Sequence, residues 1–285
     1  MTLDQIKTIA VAGAGAMGAG IAQVFAQAGY AVTLYDLSTP QLEKAQAGIS
    51  DNLTKAVAKG KASEADKNAA ISRIVYTSEL SLLKADLIIE AIVEKLEVKK
   101  ELFLKLAEIN SADTILASNT SSLPITQIAR GIPNPERIVG MHFFNPAHIM
   151  QLVEVISGAE TSMEVLEVVK ALTVKIGKAL VVAKDSPGFI VNRVARHYYV
   201  ESLKAMEERV TTMENMDALM ESAGFKMGPF RLMDALGNDV NFAVTSSLYD
   251  SFHQDPKFRP SRIQQQKVDA GHLGRKTGRG FYSYE

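Results

Sequence analysis

Short apolar runs rich in β-branched residues alternate with amphipathic stretches up to about residue 183. The runs are IKTIAVAG (6–13), AVTLYD (31–36), RIVYT (73–77), ADLIIEAIV (85–93), TILASN (114–119), RIVGMHFF (137–144), LVEVI (152–156) and KALVVA (178–183). Each has the length and composition of a buried strand. Between the early ones lie AMGAGIAQVFAQAG, TPQLEKAQAGISDNLTKAVAKG and KLEVKKELFLKLAEI, which carry helical spacing. The alternation predicts an α/β domain with a largely parallel sheet. Past residue 184 the pattern becomes helical throughout, in DSPGFIVNRVARHYYVESLKAMEE, TTMENMDALMESAG, GPFRLMDALGNDVNFAVTSSLYDSFH and SRIQQQKVDAG. Ser186 is placed to cap the first of these helices, with Pro187 at its first position. The predicted boundary falls between Lys184 and Ser186, dividing an α/β domain (1–184) from an all-α domain (185–285).

Two polar residues interrupt the strand pattern. In VGMHFFNPAHIMQLVEVI, His142 and Glu154 lie in runs that otherwise read as buried, joined by a turn at Pro146. A carboxylate between Val153 and Val155 costs several kcal/mol unless it is paired. If the two strands are neighbours, imidazole and carboxylate meet across them. Such a pair is either a general base with its tautomer fixed or a satisfied structural contact, and spacing leaves both readings open.

Composition narrows the function classes. The 285 residues are 47% hydrophobic and 22% charged, with a formal net charge of −1 and no cysteine. That is the balance of a soluble globular protein, with no overall field to favour nucleic acid or an anionic membrane. Disulfides, thiolate nucleophiles and Cys-based zinc sites are excluded. No apolar run approaches the ~18 residues of a membrane span. The N-terminus runs into a glycine turn without a basic leader, so the expected location is cytoplasmic. His148, His197, His253 and His272 show no metal-ligand spacing, and neither H-E-x-x-H nor G-x-S-x-G occurs.

The glycine turn carries more information. IAVAGAGAMGAG contains Gly13-x-Gly15-x-x-Gly18 after an apolar strand and before a helix, and the next strand ends in Asp36. This is the context of the dinucleotide fingerprint, so the α/β domain is expected to be of the Rossmann type. Gly13 permits the tight turn, Gly15 lets the backbone approach a pyrophosphate, and Gly18 lets the helix pack on the sheet. Asp36 would accept from the ribose hydroxyls and repel a 2′-phosphate, and no Arg follows in DLSTP, which favours NAD over NADP. FAD uses the same fingerprint and is not excluded by it.

Other polar residues admit bland and functional readings alike. Ser121 and Ser122, in ASNTSSLP, follow a strand end where open sheets bind ligands, and capping of a short helix before Pro124 is the preferred reading for Ser122. Glu94 reads most simply as a first-turn dipole partner of the KLEVKKELF helix. Asn192 lies in the first helix after the boundary, where it is either exposed or a ligand contact. Lys55, Lys59 and Lys61 suit a solvated helix end or a phosphate contact.

GAGAMGAGIAQVFAQAGY, IIEAIVEKLEVKKELF, ASNTSSLPI, GMHFFNPAHIMQLVEVI, KDSPGFIVNR, MGPFRLMD and GRKTGRGFY occur in an order that resembles the 3-hydroxyacyl-CoA dehydrogenase family, particularly its stand-alone bacterial 3-hydroxybutyryl-CoA members. The resemblance spans nearly the whole chain. It implies that His142 is the catalytic base and Glu154 its orienting partner, with Ser121 and Asn192 positioning substrate. It implies NAD contacts at Gly13, Gly15, Ala16, Met17, Gly18, Asp36, Glu94, Lys99, Asn119, Asn145 and Lys276. Lys59 matches a coenzyme A contact, and Asn52 stands where some relatives have a serine contact. The implied substrate is an (S)-3-hydroxyacyl-CoA, and the helical domain of this family usually forms a homodimer. GNDVNFAVT departs from the Gly-Leu-Asp that often follows this helix in the family. A sugar-acid (gulonate-type) dehydrogenase and a non-catalytic NAD-binding relative are the competing readings.

Overall fold

The computed structural model describes residues 1–284, which divide into two units, Met1–Ser186 and a second from Pro187 onward. The first unit contains eight strands: β1 (Thr8–Ala12), β2 (Ala31–Tyr35), β3 (Ile74–Thr77), β4 (Leu87–Glu90), β5 (Ile115–Ser118), β6 (Ile138–Phe143), β7 (Leu152–Ser157) and β8 (Ala179–Lys184). They form one sheet in the order β3-β2-β1-β4-β5-β6-β7-β8. Every neighbouring pair is parallel except β6 and β7, which are antiparallel. The order winds outward from β1 in both directions. In such sheets a ligand crevice forms beyond the carboxyl ends of the strands where the winding reverses, here between β1 and β4.

Helices α1 (Ala16–Gln27), α2 (Thr39–Ala58), α3 (Glu64–Ser72), α4 (Leu96–Ile109), α5 (Ile125–Ala129) and α6 (Met163–Lys175) complete this unit. Strands β4, β5 and β6 are buried along their whole length, which is why their sequences run apolar instead of alternating. The core joins them to α1, whose Ile21, Val24 and Phe25 face the sheet. A Cβ at Gly18 would lie 1.7 Å from the Gly13 carbonyl oxygen, so only glycine lets α1 pack this closely on the turn.

The second unit is helical: α7 (Val191–Glu207), α8 (Met213–Ser222), α9 (Pro229–Leu236), α10 (Asn238–Ser251) and α11 (Arg262–Asp269). Among the described residues it has only isolated bridges, Gly274 with Arg279 and Arg279 with Ser283. Two buried aspartates tie it together. Asp217 on α8 accepts from the Phe230 and Arg231 amides at the start of α9, and Asp234 on α9 accepts from the Phe281 and Tyr282 amides of the C-terminal segment. No described helix is long and apolar enough to cross a membrane.

The first helix of the second unit opens later than its sequence suggests. Ser186 and Pro187 do not open a helix, because Gly188 (φ 71°) and Phe189 (φ 49°) turn left-handed in succession. A right-handed helix cannot pass through such a pair, so α7 begins at Val191.

Candidate active site

The glycine turn leaves β1 and enters α1 at the winding reversal. Gly13 has φ 103°, and a Cβ there would lie 2.6 Å from the Ala91 carbonyl oxygen in the exit turn of β4. Gly15 precedes α1, and a Cβ on it would meet nothing within 4 Å. The turn thus offers open space beside the free amides of a helix N-terminus, the arrangement a pyrophosphate needs. Ala16 and Met17 are the first two residues of α1, with Met17 packed against the core. Asp36 follows β2, and its carboxylate accepts from the Ala14 amide at 2.8 Å and the Ser38 amide at 3.0 Å.

Two pockets flank this turn. One, of about 550 Å³, is lined by Gly13, Gly15, Tyr35, Asp36, Leu37, Gln41, Ala91, Ile92, Val93 and Val98. Its apolar walls and single carboxylate suit an adenosine. The other, of about 280 Å³, is lined by residues that include Gly15, Ala16, Lys44, Asn52, Asn145, Pro146 and His148. Asn52 donates to Gln23 at 3.4 Å. Burial, and then the charge of Lys178, hold the His148 imidazole below its usual range. Lys59 sits exposed at the C-cap of α2 and lines neither pocket.

Beyond the carboxyl ends of β4 and β5 lies a polar network that runs from the buried Lys99 to the surface at Glu94. Glu94 is outside the first turn of α4, which starts at Leu96. Its Oε1 accepts from Thr120 Oγ1 (2.6 Å), the Ser121 amide (3.0 Å), the Ser122 amide (3.2 Å) and Ser122 Oγ (3.1 Å). Its Oε2 pairs with Lys99 Nζ at 3.1 Å. Burial works to raise the Glu94 carboxyl, but the Lys99 charge and these hydrogen bonds outweigh it and hold the group below its usual range. Glu94 therefore organises a loop and is no helix-dipole partner. Ser122 is likewise no helix cap: α5 starts at Ile125, and the carboxylate of Asp185 accepts from the Ile125 and Thr126 amides.

Lys99 is also bound by Glu90, which the sequence reading does not single out. Its Nζ lies 2.5 Å from Glu90 Oε1, and the Ser118 hydroxyl donates to Glu90 Oε2 at 2.6 Å. Burial pushes the Glu90 carboxyl upward, against the opposing charge of Lys99. A carboxylate inside an apolar strand run was the available signal, the same one that drew attention to Glu154.

His142 and Glu154 face one another in the antiparallel register of β6 and β7. His142 Nδ1 lies 2.8 Å from Glu154 Oε2, with Glu154 fully buried. An ionised carboxylate only accepts, so a bond from the ring to ionised Glu154 places a hydrogen on Nδ1. The Phe144 ring lies 4.5 Å from the imidazole. Asn119 Oδ1 accepts from the Phe143 amide at 2.8 Å, tying the loop of Ser121 to the strand of His142. In the second unit, Asn192 sits in the first turn of α7, and Lys276 pairs with Asp239 at 2.6 Å.

Comparison with known proteins gives this geometry its context. The family domain described as "3-hydroxyacyl-CoA dehydrogenase, NAD binding domain" matches residues 8–186, and "3-hydroxyacyl-CoA dehydrogenase, C-terminal domain" matches residues 188–284. The chain is 49% identical over 281 residues to the 3-hydroxyadipyl-CoA dehydrogenase of Escherichia coli K12, covering 98% of this chain but only 59% of that longer protein. It is 42% identical over 281 residues to the 3-hydroxybutyryl-CoA dehydrogenase of Bradyrhizobium diazoefficiens, covering 98% of this chain and 96% of that one. The crystal structure of (S)-3-hydroxybutyryl-CoA dehydrogenase from Ralstonia eutropha superposes with a TM-score of 0.94 at 39% identity, over 99% of this chain and 100% of that one. An NAD-binding Rossmann-type domain followed by an all-α domain is the architecture on both grounds, and the chain belongs to the 3-hydroxyacyl-CoA dehydrogenase family.

Proposed function

We propose that the protein catalyses the reversible oxidation of an (S)-3-hydroxyacyl-CoA to the 3-oxoacyl-CoA, with NAD as the redox partner. The observation that carries this reading is the buried 2.8 Å His142–Glu154 pair, which orients the imidazole for Nε2 to serve as the base. Bound NAD supplies the acceptor for the hydride leaving C3. Nε2 of His142 takes the proton of the 3-hydroxyl as that bond becomes a carbonyl, and returns it in the reverse direction. Glu154 orients the ring and stabilises its protonated form. A base placed in this way typically contributes ~10²–10⁴-fold.

In this reading Ser121 and Asn192 position the substrate, and Asn52 and Lys59 contact coenzyme A. Gly13, Gly15, Ala16, Met17, Gly18, Asp36, Glu94, Lys99, Asn119, Asn145 and Lys276 serve NAD. The fit of the first pocket to an adenosine supports the NAD assignments, and the exposure of Lys59 is compatible with a phosphate contact. Homodimerisation through the helical unit, whose Val194, Leu219 and Val240 are exposed, and a cytoplasmic location belong to the same proposal.

Short-chain substrates are proposed, with 3-hydroxybutyryl-CoA first. The 49% identity to a protein named 3-hydroxyadipyl-CoA dehydrogenase favours a dicarboxylic acyl chain as a second reading. The test is NADH oxidation with acetoacetyl-CoA and, in parallel, 3-oxoadipyl-CoA, with NADPH as the control cofactor. Turnover with NADH and much slower turnover with NADPH is expected, because Asp36 stands where a 2′-phosphate would fall. His142→Ala is expected to lose about 10²-fold or more in turnover while NADH still binds. Near-parental turnover in that variant sinks the assignment.

A further inference from the structure

Glu90 lines neither pocket beside the glycine turn, yet it accepts from the amide of Ile92, a wall of the larger one, and from Lys99. We propose that Glu90 is a positioning residue that fixes the direction of the Lys99 ammonium and thereby sets the affinity for the dinucleotide. The proposal deepens the reading above and rests on its assignment of Lys99 as an NAD contact.

The geometry runs as a chain of constraints. Glu90 ends β4, is fully buried, and pairs in register with Ser118 at the end of β5. Its Oε1 accepts from Lys99 Nζ at 2.5 Å and from the Ile92 amide at 2.8 Å, while Oε2 accepts from Ser118 Oγ at 2.6 Å. Donors on both oxygens, from three separate elements, prevent the carboxylate from rotating. An ammonium has three N–H bonds in tetrahedral array. Glu90 fixes one and Glu94 Oε2, at 3.1 Å, attracts a second. With two directions set, the third is set as well, and in the reading above it is the one that serves NAD.

Without the Glu90 charge, Lys99 is drawn to Glu94 alone and swivels about that single contact. Glu94 also holds the backbone and hydroxyls of residues 120–122, so the disturbance reaches the loop of Ser121. The hydrogen bond to the Ile92 amide acts in parallel, because Ile92 is itself a pocket wall. A buried ion pair is costly, and well-packed apolar residues in place of both partners would serve stability as well or better. Its presence here is accounted for by the direction it imposes.

The test is a double-mutant cycle read as NADH affinity by fluorescence titration, with thermal unfolding recorded beside it. Glu90→Gln keeps the shape and removes the charge, Lys99→Met removes the ammonium, and the third variant combines them. Each single change is expected to weaken NADH binding about tenfold, within the coupling range of one hydrogen-bond network. The double variant is then expected to bind no worse than the weaker single one. Parental affinity in Glu90→Gln, or losses that multiply in the double variant, overturns the positioning role. Parental affinity in Lys99→Met overturns the assignment of Lys99 as an NAD contact, and the proposal with it. Should Glu90→Gln fail to fold, Ser118→Ala decides the matter, since it frees one carboxylate oxygen and leaves both charges. About threefold weaker binding supports the role, and unchanged binding overturns it.

Discussion

Lys99 and Arg196 are both cations buried among apolar side chains, at 1% and 3% exposure, and the two units accommodate them in opposite ways. Lys99 stands between two carboxylates. Arg196 on α7 has no carboxylate partner among the described residues. Its Nη1 donates to the Asn241 carbonyl and to Thr245 Oγ1, both at 3.0 Å, and its guanidinium lies 5.0 Å from the Tyr199 ring centroid. Burial pushes it down to about 10, which leaves it charged near neutrality. A compact, strongly hydrated ammonium needs full counter-charge to be buried, whereas a delocalised guanidinium tolerates dipoles and a ring face. The first arrangement fixes the direction of the ammonium between two carboxylates. The second braces α7 against α10. The acids differ in a related way: Glu90 and Glu94 hold a cation besides backbone amides, while Asp217 and Asp234 hold backbone amides and tyrosine hydroxyls.

The largest effect expected from this difference follows Lys99→Met. It leaves two carboxylates near one another with no cation, and breaking a buried pair from one side costs about 3–5 kcal/mol. Glu90 already has its carboxyl raised by burial, and losing the Lys99 charge raises it further. Between the ordinary carboxyl value and the raised one, the folded state binds more protons than the unfolded state. Stability therefore falls as pH rises through that window and returns as pH drops below it. Urea unfolding of parent and variant, near neutrality and at mildly acidic pH, should show the gap narrowing in acid. A gap that widens would mean that Glu90 is not the stranded charge.

Legibility in the sequence divides along a related line. All eight strand runs appear in the sheet: burial on both faces makes β4, β5 and β6 continuous apolar words, while β3 and β8 are legible by their β-branched residues despite exposed positions. The pairing of His142 with Glu154 was legible too, since a short turn joins their strands and makes them neighbours. The network around Lys99 was not. Ser118 and residues 120–122 reach Glu90 and Glu94 from 26 to 28 positions away, across strand order and register that no local pattern states. Glu94 accordingly resembled a helix-dipole partner, and Glu90 vanished into IIEA. The start of α7 was missed for a local reason: Ser-Pro resembles a helix entrance, but Gly188 and Phe189 turn left-handed behind it. Arg196 lay in a helical pattern where snorkelling is the ordinary expectation, and only Asn241 and Thr245, from the divergent GNDVNFAVT segment, reveal what holds it.

The smallest effect is expected at Arg196 itself. Methionine fills much of the same volume and removes a desolvation cost that no carboxylate repays. Thr245 Oγ1 still donates to the Asn241 carbonyl at 3.0 Å, so no acceptor is stranded. Arg196→Met should therefore cost no more than about 1 kcal/mol, since replacing buried charges by apolar residues of similar volume is often neutral or stabilising. NADH affinity should not change. Arg196→Lys, conservative by charge, should be the worse substitution, because an ammonium is more costly to dehydrate and cannot span Asn241, Thr245 and the Tyr199 ring together. Chemical unfolding of the two variants ranks them directly. A loss of several kcal/mol in Arg196→Met, with Arg196→Lys near parental, would show that the positive charge itself is what α7 needs, and the contrast with Lys99 would collapse.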